Sequence, residues 1–205
     1  MLETMGKNVF TKSELTRQFI IEKSAPVFNR KGFAGTSLSD ITRATGLTKG
    51  SIYGNFKDKD DVAVSVFKYN INNLVSYLSR EIGQGETAVQ KLRAIPAAYK
   101  KLYKNMVEFG GCPLLNTATE ADDTNQTLGK LAAEAIGSLK KTIAGLILSG
   151  QQAGEINREA DAERLSELFI SLIEGGSFLS KVTGEKSFMM NSLDLIEELI
   201  AQAAV

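Results

Sequence analysis

The sequence predicts an all-α protein of about nine helices, a small N-terminal three-helix unit with a helix-turn-helix followed by a larger helical body. Three observations carry this. Only three prolines occur in 205 residues. Leu, Ala, Glu, Lys and Ile fill long stretches at three- and four-residue spacing, the period of a helix with one buried side. No segment alternates polar and apolar residues as a half-buried strand would.

Taken in order, the first helix runs over residues 12–31, with Leu15, Phe19, Ile20, Ala25, Val27 and Phe28 as its apolar positions and Gly32 as its stop. Pro26 inside this run is expected to disturb its regularity. Two short helices follow within TSLSDITRATGLTKGSIYGNF, then a long one from Lys57 to Ile82. Later helices are expected near 87–109, 113–122, 126–152, 160–182 and 188–203. GQGE, GGCP, DDTN, AGEIN and TGEK supply the turn and cap chemistry between them. The division implied is a head over residues 1–57 and a body over 58–205.

Composition narrows the function. With 43% hydrophobic and 23% charged residues, the chain has the make-up of a packed globular protein. Its net charge is zero, yet residues 1–60 carry ten Lys or Arg against six Asp or Glu, and the remainder carries fourteen against eighteen. A basic front and an acidic back fit a protein that meets phosphate at one end only. Histidine is absent, which removes the commonest neutral-pH acid-base group and metal ligand. The single cysteine, Cys112, cannot form an intramolecular disulfide. No signal peptide and no run of eighteen apolar residues is seen, so a cytoplasmic protein without a membrane partner is expected.

Residues 37–56 carry the most specific pattern. Ser37 and Asp40 have capping-box spacing, and Leu38, Ile41 and Ala44 give the helix one apolar side. Gly46 is placed just past the helix end, where a positive φ suits glycine. Thr48 then caps a second short helix, Lys49 to Asn55, in which Ile52 and Phe56 face inward while Lys49, Ser51, Tyr53 and Asn55 stay available. Helix, three-residue turn, helix is the geometry that reads a major groove. Gly50 permits close approach, Lys49 suits guanine, Ser51 a base edge or phosphate, and Tyr53 a phosphate or thymine methyl. Thr36, Ser37, Thr48, Lys49, Gly50, Ser51, Tyr53, Asn55 and Lys59 form the candidate DNA-binding set, with Thr36, Thr48 and Lys59 as backbone clamps. The same spacing also describes a plain helical hairpin with solvated polar faces.

The stretch GFAGTSLSDITRATGLTKGSIYGNFKDKDDV resembles the DNA-binding domain of the tetracycline-repressor (TetR) family. Gly32-Phe33, Thr36-Ser37, Ala44 to Leu47, Thr48 to Tyr53 and Phe56 to Lys59 appear in the family's order. Thr42 stands where alanine is common, and Gly54-Asn55 where aromatic or histidine residues are common. The resemblance covers roughly residues 12–62. It implies a sequence-specific transcription regulator, a homodimeric repressor on a palindromic double-stranded operator that a small-molecule effector releases.

For the body, dimerisation is expected through the last two helices. The first offers Leu165, Leu168, Phe169, Leu172, Ile173, Phe178 and Leu179 beside Gly175-Gly176; the second offers Met189, Leu193, Ile196, Leu199 and Ile200. The alternative is that these stripes only fill the protomer core. Tyr99, Tyr103, Met106, Phe109, Cys112, Leu115, Asn116, Thr119 and Phe169 are the candidate effector-binding residues. Cys112 at a helix start invites a redox reading, against the ordinary one of a small buried apolar residue. Glu120, Asp122 and Asp123 suggest a hard-metal site less well than the start of the next helix, and neither cofactor nor metal is expected. An enzyme using Glu120 or Glu174 as its acid-base group would lack histidine, a nucleophile motif and a phosphate loop, so none is expected.

Overall fold

Side chains supplied by the sequence begin most of the helices. The computed structural model describes residues 11–121 and 124–205, and among these it contains nine helices. Thr11 with Glu14 opens α1 (Lys12–Gly35), Ser37 with Asp40 opens α2 (Leu38–Thr45), and Thr48 caps α3 (Lys49–Tyr53). Asp58 caps α4 (Lys59–Ile82), and Thr87 with Gln90 opens α5 (Ala88–Phe109). After α6 (Pro113–Ala121), Asn125 caps α7 (Gln126–Ala153), Asp161 caps α8 (Ala162–Thr183), and α9 (Ser187–Ala203) closes the fold. Each cap occupies an N–H that the first turn leaves unpaired.

Two expectations about α1 need correction. Pro26 lies inside the helix without ending it. Leu15 and Phe19 are exposed rather than buried, so the apolar face is carried by Ile20, Ile21, Ala25 and Phe28. The break comes at Gly32, with φ 74° and ψ 178°, a conformation essentially confined to glycine.

Two apolar clusters organise the packing. One joins Ile20, Phe28, Ile41, Ile52, Phe56 and Val62 to Leu114, Ala121 and Leu128, so the core under α1–α3 continues into α4, α6 and the start of α7. The other, the lower cluster to the first one's upper, joins Leu92, Ile95 and Tyr99 of α5 to Ile143, Ile147, Phe169, Ile173 and the buried side of α9. Burial of a large apolar side chain contributes about 1.5–3 kcal/mol. The head therefore has no closed core of its own; it is roofed by the body.

A polar seam reinforces that roof. Glu120 of α6 accepts the Phe33 N–H at 2.5 Å and the Ala34 N–H at 2.7 Å, the two donors exposed by the break at Gly32. Asn29 donates to the Phe109 and Gly111 carbonyls, both at 3.0 Å. Asn116 donates back to the Asn29 and Gly110 carbonyls, both at 3.0 Å, and accepts from Lys181 of α8 at 3.0 Å. Glu120 thus serves as the acceptor for the end of α1, while Asp122 and Asp123, grouped with it in the metal reading, lie outside the described residues.

A Cβ on residue 32 would sit 2.3 Å from Glu120 Oε2 as well as requiring the strained backbone. Gly32→Ala is expected to cost about 1–3 kcal/mol from the backbone alone, lowering Tm by roughly 5 °C or more in a calorimetric scan. A variant that melts with the wild type contradicts this account of the break.

Candidate functional site

The head presents α2 and α3 as a helix pair joined through Gly46 at φ 70°. Ile41 and Ile52 are fully buried and Phe56 nearly so, which fixes the outward side of α3. Lys49 and Tyr53 stand on that side, Tyr53 at 53% exposure. A Cβ on Gly50 would meet only Thr48 Oγ1 at 3.9 Å, so nothing inside the protein requires glycine there. Ser37 and Thr48 remain exposed while capping α2 and α3, and Ser51 is half-buried.

Three of the candidate contacts are committed inside the protein. Thr36 is buried, its hydroxyl donating to the Gly32 carbonyl at 2.6 Å. Lys59 donates to the Phe33 and Thr36 carbonyls at 2.9 and 3.2 Å, with its ammonium 4.1 Å from the centre of the Phe33 ring. It therefore clamps the end of α1 rather than standing free for a phosphate. Asn55 donates to the Ser51 carbonyl at 2.9 Å and accepts from Ser13 at 3.1 Å. Around them Arg17 lies over Phe56 and pairs with Asp61 at 2.9 Å, bracing α1 against α4. The Arg17 guanidinium holds the Asp61 carboxyl below its usual range, and Lys31, together with the Ser37 cap, holds Asp40 well below it.

In the body, α4, α5, α6, α7 and α8 surround a chamber of about 300 Å³, within the size range of small-molecule sites. Leu74 and Leu78 of α4, Tyr99 of α5, Leu114 of α6, Leu139 of α7 and Ile173 of α8 give it apolar walls. Among the described residues that line it, Glu174 alone is an acid or a base of the Asp, Glu, Lys or Arg kind. A second chamber of about 360 Å³ lies on the other side of Tyr99, bordered by Tyr69, Tyr77, Met106, Phe109 and Cys112. Of the nine candidate effector residues, Tyr99 borders both chambers and Met106, Phe109 and Cys112 border the second.

The other five are elsewhere. Asn116 belongs to the seam with Asn29 and borders a crevice beside Glu120. Phe169 is buried in the lower cluster, Leu115 packs against the upper one, and Thr119 is exposed and donates to the Leu115 carbonyl. Tyr103 is packed at the edge of the lower cluster, with the Lys186 ammonium 5.7 Å from its ring centre. Eight of the nine candidates fall within residues 99–119, whereas the chamber is built from five helices far apart along the chain. The one sequence signal for it was a lone carboxylate in LFISLIEGG.

Cys112 sits at the start of α6, where the helix N-terminus favours a thiolate, but burial is the larger effect and pushes the thiol well above its usual value, with the nearby Glu174 carboxylate adding to it. It donates to Glu174 Oε1 at 3.2 Å. The buried-thiol reading is the one this geometry fits. Burial likewise pushes the Glu174 carboxyl up to about 7, the Cys112 hydrogen bond partly opposing it. Glu174 Oε2 is shut off from solvent and has no hydrogen-bond partner among the described residues.

The α8–α9 stripes divide between core and surface. Phe169, Ile173, Met189, Leu193, Ile196 and Ile200 are buried within the protomer, which corrects their assignment to a partner surface. Leu168, Phe178, Leu179 and Val182 of α8, with Phe188 and Leu195 of α9, are exposed instead. A Cβ on Gly176 would press on Ser192 of α9 at 2.8 Å, whereas one on Gly175 would meet open space. Gly176 therefore serves the contact with α9, and Gly175 faces away from it. No described helix is long and apolar enough to cross a membrane.

Residues 20–66 match the family of bacterial regulatory proteins of the tetR type, and residues 88–195 match the tetracyclin repressor-like C-terminal domain. A TetR-family regulator from Cytophaga hutchinsonii is similar at 43% identity and TM-score 0.90, over 96% of this chain and 98% of that one. A TetR regulator from Chloroflexus aurantiacus is similar at 32% identity and TM-score 0.87, over 94% and 98%. The HTH-type transcriptional repressor DhaR of a Mycobacterium species is 22% identical, over 90% of this chain and 91% of its own.

Because its carboxyl is raised in the folded state, Glu174 contributes stability that is full below pH 4.5 and lost as pH rises through about 7. Relative to Glu174→Gln, the wild type is expected to lose on the order of 3 kcal/mol across that window, read by urea unfolding at fixed protein concentration. A gap independent of pH contradicts the burial assigned to this group.

Proposed function

Since the chain belongs to the TetR family of DNA-binding transcription regulators, we propose that it is a homodimeric repressor released from an inverted-repeat operator by a small effector. Residues 1–57 contact the operator and residues 58–205 sense and dimerise, with the first turns of α4 packed beneath the head. Family membership places the chain among regulators rather than enzymes.

The single observation that carries the operator reading is the outward face of α3. Lys49 and Tyr53 project from it, and Gly50 leaves the helix start bare although a side chain would fit. Ser37, Thr48 and Ser51 flank these residues. Thr36, Lys59 and Asn55 act one step back, holding α1 and α3 at the angle that lets the others reach. In a dimer, two such faces would enter major grooves about one helical turn apart.

For the dimer, the support is the exposed apolar stripe Leu168, Phe178, Leu179 and Val182 on α8, flanked by Phe188 on α9, with the bare Gly175 in line. Large exposed apolar patches mark association surfaces. For release, the support is that Leu114 of α6 borders the first chamber while Glu120 of the same helix holds the end of α1. An effector that binds two positions of α6 differently would shift the head, which is the condition for allostery.

Selection from random duplex DNA, followed by fluorescence anisotropy on the enriched sequence, is expected to give a palindrome. Lys49→Ala should weaken that binding about ten-fold or more. Gly50→Ala should weaken it while leaving Tm unchanged or slightly raised. Sequence-blind binding that vanishes with salt would overturn the operator reading.

Phe178→Glu is expected to give monomers in sedimentation at micromolar protein and to lose operator affinity with the fold intact by circular dichroism. A variant that remains dimeric would remove α8 from the interface.

A further inference from the structure

The first chamber has an asymmetric chemistry. Leucine, isoleucine and tyrosine side chains make most of its wall, and Ser138 and Thr142 border it from α7. Against these stands one carboxylate, Glu174, with one oxygen engaged by Cys112 and the other without a partner among the described residues. A carboxylate in apolar surroundings is costly when charged and unpaired. No described Lys or Arg borders the chamber.

We infer that the chamber recognises an apolar molecule bearing one basic nitrogen, whose ammonium pairs with the Glu174 carboxylate while its hydrocarbon body lies along α4, α5 and α7. The inference deepens the effector reading and rests on it. An ammonium is the group that both donates to the carboxylate and neutralises the charge; a hydroxyl does only the first, and an anionic ligand would add a second negative charge. Charge-assisted hydrogen bonds are roughly twice as strong as neutral ones, and the apolar walls around Glu174 strengthen them further. The titratable groups facing Glu174 are Cys112 from the start of α6 and Tyr99 from α5, both pushed well above their usual values and so neutral at physiological pH. The walls from α4 and α7 bring only amide and hydroxyl groups, Asn72, Ser79, Ser138 and Thr142.

The test uses three probes of one shape, 4-phenylbutylamine, 4-phenylbutanol and 4-phenylbutyrate, titrated calorimetrically into the intact protein. The amine is expected to bind tightest and the carboxylate weakest. Its affinity should rise about ten-fold from pH 6 to pH 8 as Glu174 ionises, with the alcohol nearly unchanged. Glu174→Gln, checked for folding by circular dichroism, should weaken the amine by about ten-fold or more and the alcohol by little. Ala135→Phe on α7, which fills this chamber and not its neighbour, should abolish binding of both. Equal binding of amine and alcohol, or amine binding that survives Glu174→Gln, overturns the inference while leaving the chamber as an effector site. Glu174-dependent amine binding that leaves operator anisotropy unchanged supports the inference and contradicts the effector reading instead. No binding by any probe overturns both.

Discussion

The structure depends on how the first helix ends. At Gly32 the chain takes a conformation that only glycine adopts cheaply, and two backbone N–H groups emerge just beyond it, at Phe33 and Ala34. The half-buried Phe33 donor must find an acceptor, and it and the exposed Ala34 N–H both find theirs on Glu120, 87 residues along the chain from Phe33. One carboxylate thereby fixes the direction in which the chain leaves α1, and so the placement of α2 and α3. Lys59 completes the arrangement from the other side, taking the carbonyls of Phe33 and Thr36 that the same break exposes. Both partners come from elements whose positions are set by the body.

The head is consequently a part of one packed unit. Its apolar cluster runs through Phe67 and Leu114 to Leu128, and the seam of Asn29, Asn116 and Lys181 extends from α1 across α6 to α8. Helix α6 is the element common to both ends. Leu114 near its start borders the chamber, Cys112, just before it, meets Glu174, and Glu120 near its end holds the end of α1. The helix spans nine residues, Pro113 to Ala121, a length of about 13 Å at 1.5 Å per residue.

Local features of this fold were legible in the sequence. The Ser37–Asp40 box, the Thr48 cap and the left-handed Gly46 each follow from chemistry within four residues, and all lie where the spacing predicts. Features that depend on distant parts of the chain were not. Thr36 and Lys59 look like exposed polar residues beside a recognition helix, and only the folded chain shows the carbonyls they satisfy. The α9 stripe of Met189, Leu193, Ile196 and Ile200 has the period of any buried face, and periodicity says nothing of whether the covering surface belongs to the same chain. Glu120 and Glu174 stood out as carboxylates in helical surroundings, yet their partners, a pair of amides on α1 and a thiol on α6, are brought to them only by tertiary packing.

The most direct test of the central claim is amide hydrogen exchange at Phe33 and Ala34, followed by NMR in the wild type and in Glu120→Ala. The account expects both amides to be protected in the wild type, and to lose that protection in the variant while the amides of α5 and α7 keep theirs. Exchange of Phe33 and Ala34 at the rate of an unstructured peptide in the wild type, with α1 itself protected, would mean that Glu120 does not hold the end of α1 and that the head is not tied to the body in this way.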